Sequence, residues 1–160
     1  MIGRGSPARA GGLRVSAHNW GRRVLVKDPR RLVAGAQGRR AAELWTALHG
    51  KARVEVADGH QERGRDVELR VSPPLAHGLD GTPLGYVVAL TIEDHAEHER
   101  FVFASDVQGP LSPVALAYLL RERPTLLYLS GPPSYMEREV GAAAIERGVK
   151  HLMQIMDATG

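Results

Sequence analysis

His77 and Asp106 are the two side chains best placed to act together chemically, because they flank a predicted β-hairpin. His77 precedes the first predicted strand, residues 85–92, and Asp106 follows the second, residues 100–104. An antiparallel hairpin brings its two open ends together, so we expect these residues to share one site. Imidazole and carboxylate are common ligands of zinc, iron and manganese, which makes a metal ion the chemistry that fits.

Both residues also have other interpretations, and the sequence leaves them open. Asp106 is a candidate general base, or it caps backbone amides of the turn over residues 105–111. His77 can equally be an ordinary loop histidine. Two ligands alone do not make a metal site, since a catalytic zinc ion keeps three protein ligands.

The remaining histidines carry weaker signals. His95 and His98 lie in the charged turn of the hairpin. That turn is about 24 Å from the open end of the hairpin, at about 3.4 Å per residue, so they cannot join His77. A solvated loop explains them better than a metal site does. His151 lies beside the apolar stripe of a predicted helix, where a packing or surface role is favoured.

The elements that position these residues follow from apolar periodicity and from Pro and Gly. In the strand over 67–71, the alternation predicts Val67, Leu69 and Val71 on the buried face and the charged residues on the other. The predicted strands cover residues 24–26, 53–56, 67–71, 85–92, 100–104 and 126–129, and the predicted helices cover 39–48, 113–123 and 135–156. The last helix is expected to bury a stripe of Ile145, Val149, Leu152 and Met156.

This order of elements predicts an α/β domain with a layered mixed sheet and flanking helices. Residues 100–129 form a strand–helix–strand unit, which favours a parallel pair of strands joined by a crossover helix. Ser112 is a good N-cap for the central helix, and Pro113 suits its first position.

Length and composition narrow the class of protein further. The 160 residues fit one domain, and the absence of cysteine excludes disulfides, thiolate zinc sites and cysteine nucleophiles within them. They contain no Gly-x-Ser-x-Gly, no phosphate-binding loop and no Gly-x-Gly-x-x-Gly. No apolar run approaches a membrane span and no secretory signal is visible, so the expected partners exclude a membrane and the expected location is cytoplasmic.

Charge is divided unevenly along the chain. Residues 1–40 contain ten basic residues against one acid, Asp28, a net charge of +9. The other 120 residues contain 11 basic and 17 acidic groups, a net of −6. We interpret residues 1–22 as a basic flexible leader. A solvated leader is favoured over a nucleic-acid-binding arm, because no aromatic residues are interleaved for base stacking.

Four motifs in order along the chain resemble one known family. They are Ser72-Pro73-Pro74-Leu75-Ala76-His77-Gly78, Leu84-Gly85-Tyr86-Val87-Val88, Ala104-Ser105-Asp106-Val107-Gln108-Gly109-Pro110 and Leu129-Ser130-Gly131-Pro132-Pro133-Ser134-Tyr135. Together they resemble the metallo-β-lactamase-fold superfamily, in a branch of uncharacterised prokaryotic proteins labelled predicted metal-dependent hydrolases. The likeness covers about residues 23–160 as a partial domain.

The resemblance implies the C-terminal half of an αββα fold, in which His77 and Asp106 are metal ligands and Asp106 is also a catalytic residue. The metal would be zinc or another divalent ion, two ions in the complete family, and the reaction hydrolysis of an ester or phosphodiester in a small-molecule or nucleic-acid substrate. Asp106 is followed by Val107, whereas Thr is common in ribonuclease Z relatives, which argues against RNA processing.

Two family motifs have no match in residues 1–160: the early His-x-His-x-Asp-His and a late histidine. The chain is therefore expected to be a fragment that binds metal weakly or not at all without the missing half. The alternative is a non-catalytic remnant or interaction module, with the basic leader as a nucleic-acid-contacting arm. Exposed sheet edges would favour homo-oligomers in either case.

Overall fold

A computed structural model describes residues 23–159, and the predicted leader over residues 1–22 lies outside this range. The helices and strands alternate as expected for a mixed α/β fold. They are β1 (Arg23–Val26), α1 (Gly35–Leu48), β2 (Arg53–Val56), β3 (Gln61–Arg63), β4 (Val67–Val71), β5 (Leu75–Ala76), β6 (Tyr86–Val87), β7 (Leu90–Asp94), β8 (Glu99–Ala104), α2 (Pro113–Glu122), β9 (Leu126–Leu129), α3 (Glu137–Val140) and α4 (Ala142–Thr159). Within residues 23–159, no helix combines the length and apolarity needed to cross a membrane.

The main sheet has five strands in the order β3-β4-β7-β8-β9. Its strands pair antiparallel except for β8 and β9, which are parallel and joined by α2. This confirms both the predicted hairpin and the predicted strand–helix–strand unit. Ser112 caps α2 as expected, since its Oγ accepts hydrogen bonds from the backbone N–H groups of Val114 and Ala115.

The first helix joins a second, smaller parallel pair, β1 and β2. Helix α1 begins at Gly35, earlier than predicted, and ends at Leu48; His49 is its C-cap, and Gly50 follows with a positive φ of 73°. A buried Asp58 ties the ends of the two strands together, because it accepts hydrogen bonds from Lys27 Nζ at 2.8 Å and from the Asp28 N–H at 3.0 Å.

The predicted strand over residues 85–92 is wrong in one respect, since the structure divides it into β6 and β7. Strand β6 pairs with β5, whereas β7 joins the main sheet. The division falls at Ala89, whose N–H donates to Ser72 Oγ and whose carbonyl accepts from the Ser72 N–H. A side-chain bond therefore replaces part of the regular ladder at this point.

The two faces of the main sheet differ in chemistry. Directly paired residues share a face, and the hydrogen bond between the hydroxyls of Thr91 and Tyr118 identifies the face that α2 covers. That face carries the core, which consists of Leu75, Ala89, Val102, Ala104, Val107, Ala115, Tyr118, Leu119 and Ile155.

The predicted orientation of β4 is confirmed at Val71, which is only 7% exposed, but is wrong at Val67 and Glu68. Glu68 is only 8% exposed and lies on the α2 face, whereas Val67 on the other face is 44% exposed. Arg70 makes the reversal favourable, because it donates to Glu93 at 2.7 Å and to Glu122 of α2 at 3.0 Å. Paired charges can lie beneath a helix, where single charges would be costly.

The last helix differs from its prediction in the residue at which it begins and in the side that is buried. A break at Gly141, with φ of 88°, separates α3 from α4. The buried residues of α4 are Ala144, Gly148 and Ile155, whereas Val149 and Met156 of the predicted stripe are 45% and 70% exposed. Small residues face inward because a Cβ on Gly148 would lie only 2.7 Å from Leu111 Cδ2.

Candidate functional site

The candidate site lies at the carboxyl ends of β8 and β9. Ala104 and Leu129, the last residues of these parallel strands, are directly paired. The loops that follow, over residues 105–112 and 130–134, therefore begin at the same edge of the sheet. In open α/β sheets this edge is where ligands usually bind.

Asp106 is held in a short 3-10 turn over Ser105–Val107. Val107 anchors the turn because its side chain is fully buried, whereas Asp106 is exposed. The alternative that Asp106 caps this turn is not seen, since no described backbone N–H over residues 105–111 donates to its carboxylate. Among the described residues, no hydrogen bond reaches the exposed Asp106 carboxylate.

His77 directly follows β5 and is half-buried. Its backbone N–H donates to the Gly85 carbonyl at 2.9 Å, which continues the short β5–β6 pairing past the strand ends. The main chain of His77 is therefore fixed by hydrogen bonding.

The loop that contains His77 contacts the loop that contains Asp106. Gly78 has φ of 88°, and a Cβ placed there would lie 2.5 Å from Gln108 Oε1. A second tie connects the same loops, because Ser112 Oγ donates to Asp80 Oδ1 at 3.1 Å. The structure thus places the predicted pair in adjacent, touching loops.

Helix α4 braces the Asp106 loop from the other side. His151 Nδ1 donates to the Pro110 carbonyl at 2.8 Å. A Cβ on Gly148 would lie 2.8 Å from the Gly109 carbonyl oxygen, so the helix backbone contacts the loop backbone directly. Sequence reasoning gave His151 only a packing or surface role and missed Gly148, although a glycine inside a helical pattern often signals close packing.

The loop after β9 also packs against the Asp106 loop. A Cβ on Gly109 would lie 2.4 Å from Pro132 N, and Pro133 is fully buried. The hydroxyl of Ser130 is buried and, among the described residues, has no hydrogen-bond partner. Tyr135 beyond it is 83% exposed. The loop is thus a packed support with an exposed aromatic ring at its end.

His95 and His98 lie at the opposite end of the sheet, as predicted. They occupy the turn between β7 and β8 and line a surface cavity of about 340 Å³ together with Glu93 and Arg123. His95 Nε2 lies 3.7 Å from Glu68 Oε2, within the ionic cluster beneath α2. The structure does not bring these histidines to His77.

The described residues do not complete a metal centre. No group of three or more His, Asp or Glu side chains between residues 23 and 159 is arranged to hold a metal ion. Catalytic zinc takes three protein ligands, so His77 and Asp106 alone do not fit a resident metal.

The chain is similar to archaeal proteins named UPF0282 protein. It is 34% identical to one from Korarchaeum cryptofilum over 139 residues, which is 86% of this chain and 46% of the relative. It is 38% identical to one from Pyrobaculum arsenaticum over 138 residues, or 42% of that relative. The chain therefore spans less than half the length of these curated relatives. No family model matches the chain, and no solved structure matches it.

Proposed function

We propose that this chain is part of a metal-dependent hydrolase of the metallo-β-lactamase superfamily, with His77 and Asp106 as metal ligands. The observation that carries the proposal is the contact between their two loops at the carboxyl ends of β8 and β9. Imidazole and carboxylate at such an edge suit a zinc or other divalent ion. Ester or phosphodiester hydrolysis is the reaction class.

The other ligands would come from residues outside this chain. The UPF0282 relatives are more than twice as long as the segments they share with it. That additional length is sufficient to supply a His-x-His-x-Asp-His motif and the rest of an αββα fold. The chain alone is then expected to bind metal weakly and to hydrolyse little.

Residues of this chain would hold the loops of the two candidate ligands in place and would supply a proton acceptor. Gly148 and His151 of α4 fix the Asp106 loop, and the Ser112–Asp80 bond ties that loop to the His77 loop. The exposed Asp106 carboxylate can accept a proton from a water molecule as well as bind a metal ion.

A manganese titration followed by NMR tests the site in the chain as it stands. Mn²⁺ broadens nearby resonances, so we expect weak binding with broadening centred on His77 and Asp106. His77→Ala and Asp106→Asn should each remove it, whereas His98→Ala at the far end of the sheet should not. Broadening centred on His95 and His98, unchanged by the first two variants, would overturn the site.

Two further measurements test whether the metal site of this chain is incomplete and whether the reaction depends on a metal ion. Calorimetry with zinc should show no tight binding, and stoichiometric sub-micromolar binding by the chain alone would contradict an incomplete site. The full-length Korarchaeum cryptofilum relative should hydrolyse a chromogenic phosphodiester or ester and lose that activity in a chelator. Turnover that persists in the chelator would contradict metal dependence.

A non-catalytic interaction module is the second candidate function. The absence of a three-ligand cluster within residues 23–159 favours it, as do the exposed apolar side chains of Phe103, Leu126 and Tyr128 on the main sheet. It predicts that neither the chain nor the full-length relative hydrolyses either substrate.

A further inference from the structure

Helix α1 has an open side with a surface cavity. None of its residues is fully buried, although the helix spans residues 35–48. The cavity has a volume of about 270 Å³ and lies between this helix and the turn after β1. It is lined by Pro29, Arg30, Ala42, Trp45 and Thr46. We call the cavity, together with the neighbouring Arg39, the α1 face.

The sequence around the α1 face is basic, although most of the chain is acidic. Residues 29–42 contain no acidic residue and four exposed arginines, Arg30, Arg31, Arg39 and Arg40. With the flanking Asp28 and Glu43 included, the net charge of residues 28–43 is still +2, whereas that of residues 41–160 is −6. Residues 1–22 add four more arginines and no acid, so they do not supply a complementary charge. The face therefore favours a polyanionic partner.

Two of the arginines lie at the cavity. Arg30 lines it, and its Nε donates to Asp28 Oδ1 at 3.2 Å, which holds this 80% exposed side chain beside the opening. Arg39 lies on the same side of α1 as Ala42 and Thr46, because residues three and seven apart on a helix share a side. Positive charge thus flanks the cavity from the turn and from the helix.

Trp45 distinguishes nucleic acid from other polyanions. Its half-buried ring lines the cavity together with Arg30. The hydroxyl of Thr46 already donates to the Ala42 carbonyl at 2.9 Å, so the helix side of the cavity offers mainly apolar contact. Proteins that bind single strands stack bases on aromatic rings in a positively charged groove. An acidic peptide would use the arginines but not the ring.

The volume of the cavity limits what can enter it. Pockets that enclose drug-sized ligands measure roughly 300–1,000 Å³. The cavity is smaller, at about 270 Å³, so it suits one flat ring better than a whole cofactor. The bases of a duplex are stacked on one another, whereas the unstacked bases of a single strand can be splayed out.

We propose that the α1 face binds single-stranded nucleic acid, with one base stacked on Trp45 and neighbouring phosphates paired with Arg30 and Arg39. Stacking and phosphate contacts are available from every nucleotide, so little sequence preference is expected. The proposal does not rest on the proposed hydrolysis, because α1 contacts the hairpin of His77 through another side. There Gln37 Oε1 accepts from the Tyr86 N–H at 3.1 Å.

Fluorescence anisotropy of a fluorescein-labelled 12-nucleotide oligothymidylate, in EDTA and at low salt, measures binding to the 160-residue chain. Trp45→Leu should weaken binding at least about fivefold, because it removes the stacking but keeps an apolar side chain. Trp45→Phe should recover much of the affinity, since a smaller aromatic ring still stacks on a base. Recovery by Phe and not by Leu separates stacking from apolar packing.

A salt titration tests the two arginines. Arg30→Ala combined with Arg39→Ala should reduce the slope of log affinity against log salt concentration by about 1.4, which is about 0.7 for each phosphate contact on a single strand. Arg138→Ala combined with Arg147→Ala is the matched control, since it also removes two exposed arginines. The control should leave the slope nearly unchanged.

Tryptophan fluorescence reports on the ring itself. The chain contains two tryptophans, Trp20 and Trp45, so Trp20→Phe leaves Trp45 as the only one. The single strand should quench its fluorescence, and a duplex of the same length should quench it much less. Circular dichroism checks that each variant is folded. If Trp45→Leu is unfolded, quenching in the Trp20→Phe chain decides.

Three results would overturn the proposal. The first is no binding of the oligothymidylate at low salt. The second is binding that Trp45→Leu and the Arg30 and Arg39 double variant leave unchanged, which would assign it to another basic segment such as residues 1–22. The third is displacement by polyglutamate at equal charge without quenching of Trp45, which would make the partner an acidic polypeptide. Because EDTA removes metal ions, a failure here is distinct from a failure of metal binding or hydrolysis.

Discussion

At the scale of single residues, glycines decide how closely the parts of the candidate site approach. Gly148 of α4 contacts Leu111 and the Gly109 carbonyl, where a methyl group would be 2.7 and 2.8 Å from its neighbours. The carbonyl belongs to the backbone and cannot rotate away. The helix accepts a residue of poor helical propensity here because the close approach requires it.

Gly148→Ala is therefore expected to destabilise the fold even though alanine favours a helix. Overpacking costs about 1–3 kcal/mol, against about 1 kcal/mol gained in helix propensity. Gly35→Ala is the matched control, since the nearest atom to its added Cβ is 3.8 Å away, and it should stabilise the fold slightly. Urea unfolding measures both, and a Gly148→Ala chain as stable as the control would contradict the close contact.

At the scale of elements, α2 matters most, because it joins β8 to β9 and covers one face of the sheet. Its N-terminus begins at Ser112, whose hydroxyl accepts from two backbone N–H groups and donates to Asp80. One hydroxyl thus caps the helix and links it to the loop that carries His77.

Ser112→Ala should lower the free energy of unfolding by about 1–2 kcal/mol, because it removes both the cap and the Asp80 bond. Ser134→Ala is the control, since the turn at Ser134 has no side-chain cap and the residue is exposed. Chemical denaturation compares the two, and equal losses would show that the cap contributes nothing of its own.

Local patterns in the sequence predicted the elements better than the faces they bury. The strands over β1, β2 and β4 and the cap at Ser112 follow from runs, turns and Pro, which act within a few residues. Which side chains of β4 face α2 depends on the bond between Arg70 and Glu122, which is distant in sequence. Alternation along the strand alone could therefore not predict it.

In the candidate site too, contacts that follow from local structure could be predicted from the sequence, and contacts that depend on helix packing could not. The proximity of the loops that contain His77 and Asp106 could be predicted because it follows from a hairpin, a local structure. The contacts of Gly148 and His151 with the Asp106 loop could not be predicted, because they depend on how α4 packs against that loop. The apolar periodicity of the helix predicted that a neighbouring stripe of residues would be buried instead.

At the scale of the whole molecule, charge is concentrated beneath α2, where it links three strands to the helix. Arg100 and Arg70 donate to Glu93 and hold its pKa down, from the ordinary 4.5 to about 2. A lowered carboxyl pKa means that the folded state favours the charged form more than the unfolded state does. Its contribution to stability is complete above the ordinary pKa and is lost as the pH falls from about 4.5 towards about 2.

Glu93→Gln should therefore lower stability by roughly 1–3 kcal/mol at neutral pH and flatten the decline in acid. Glu146→Gln is the control, because Glu146 pairs with Lys150 on the surface of α4 and both side chains are 67% exposed. Urea unfolding across the acidic range measures the slopes, and a Glu93→Gln chain with the parental slope would contradict the assignment.

The brace on the Asp106 loop has a mechanical consequence. Helix α4 contacts that loop through the Gly148 backbone and the His151 ring. The outer side of the same helix exposes Val149, Met153 and Met156. A shift of α4 caused by binding on this outer side would therefore change the contacts that hold the Asp106 loop.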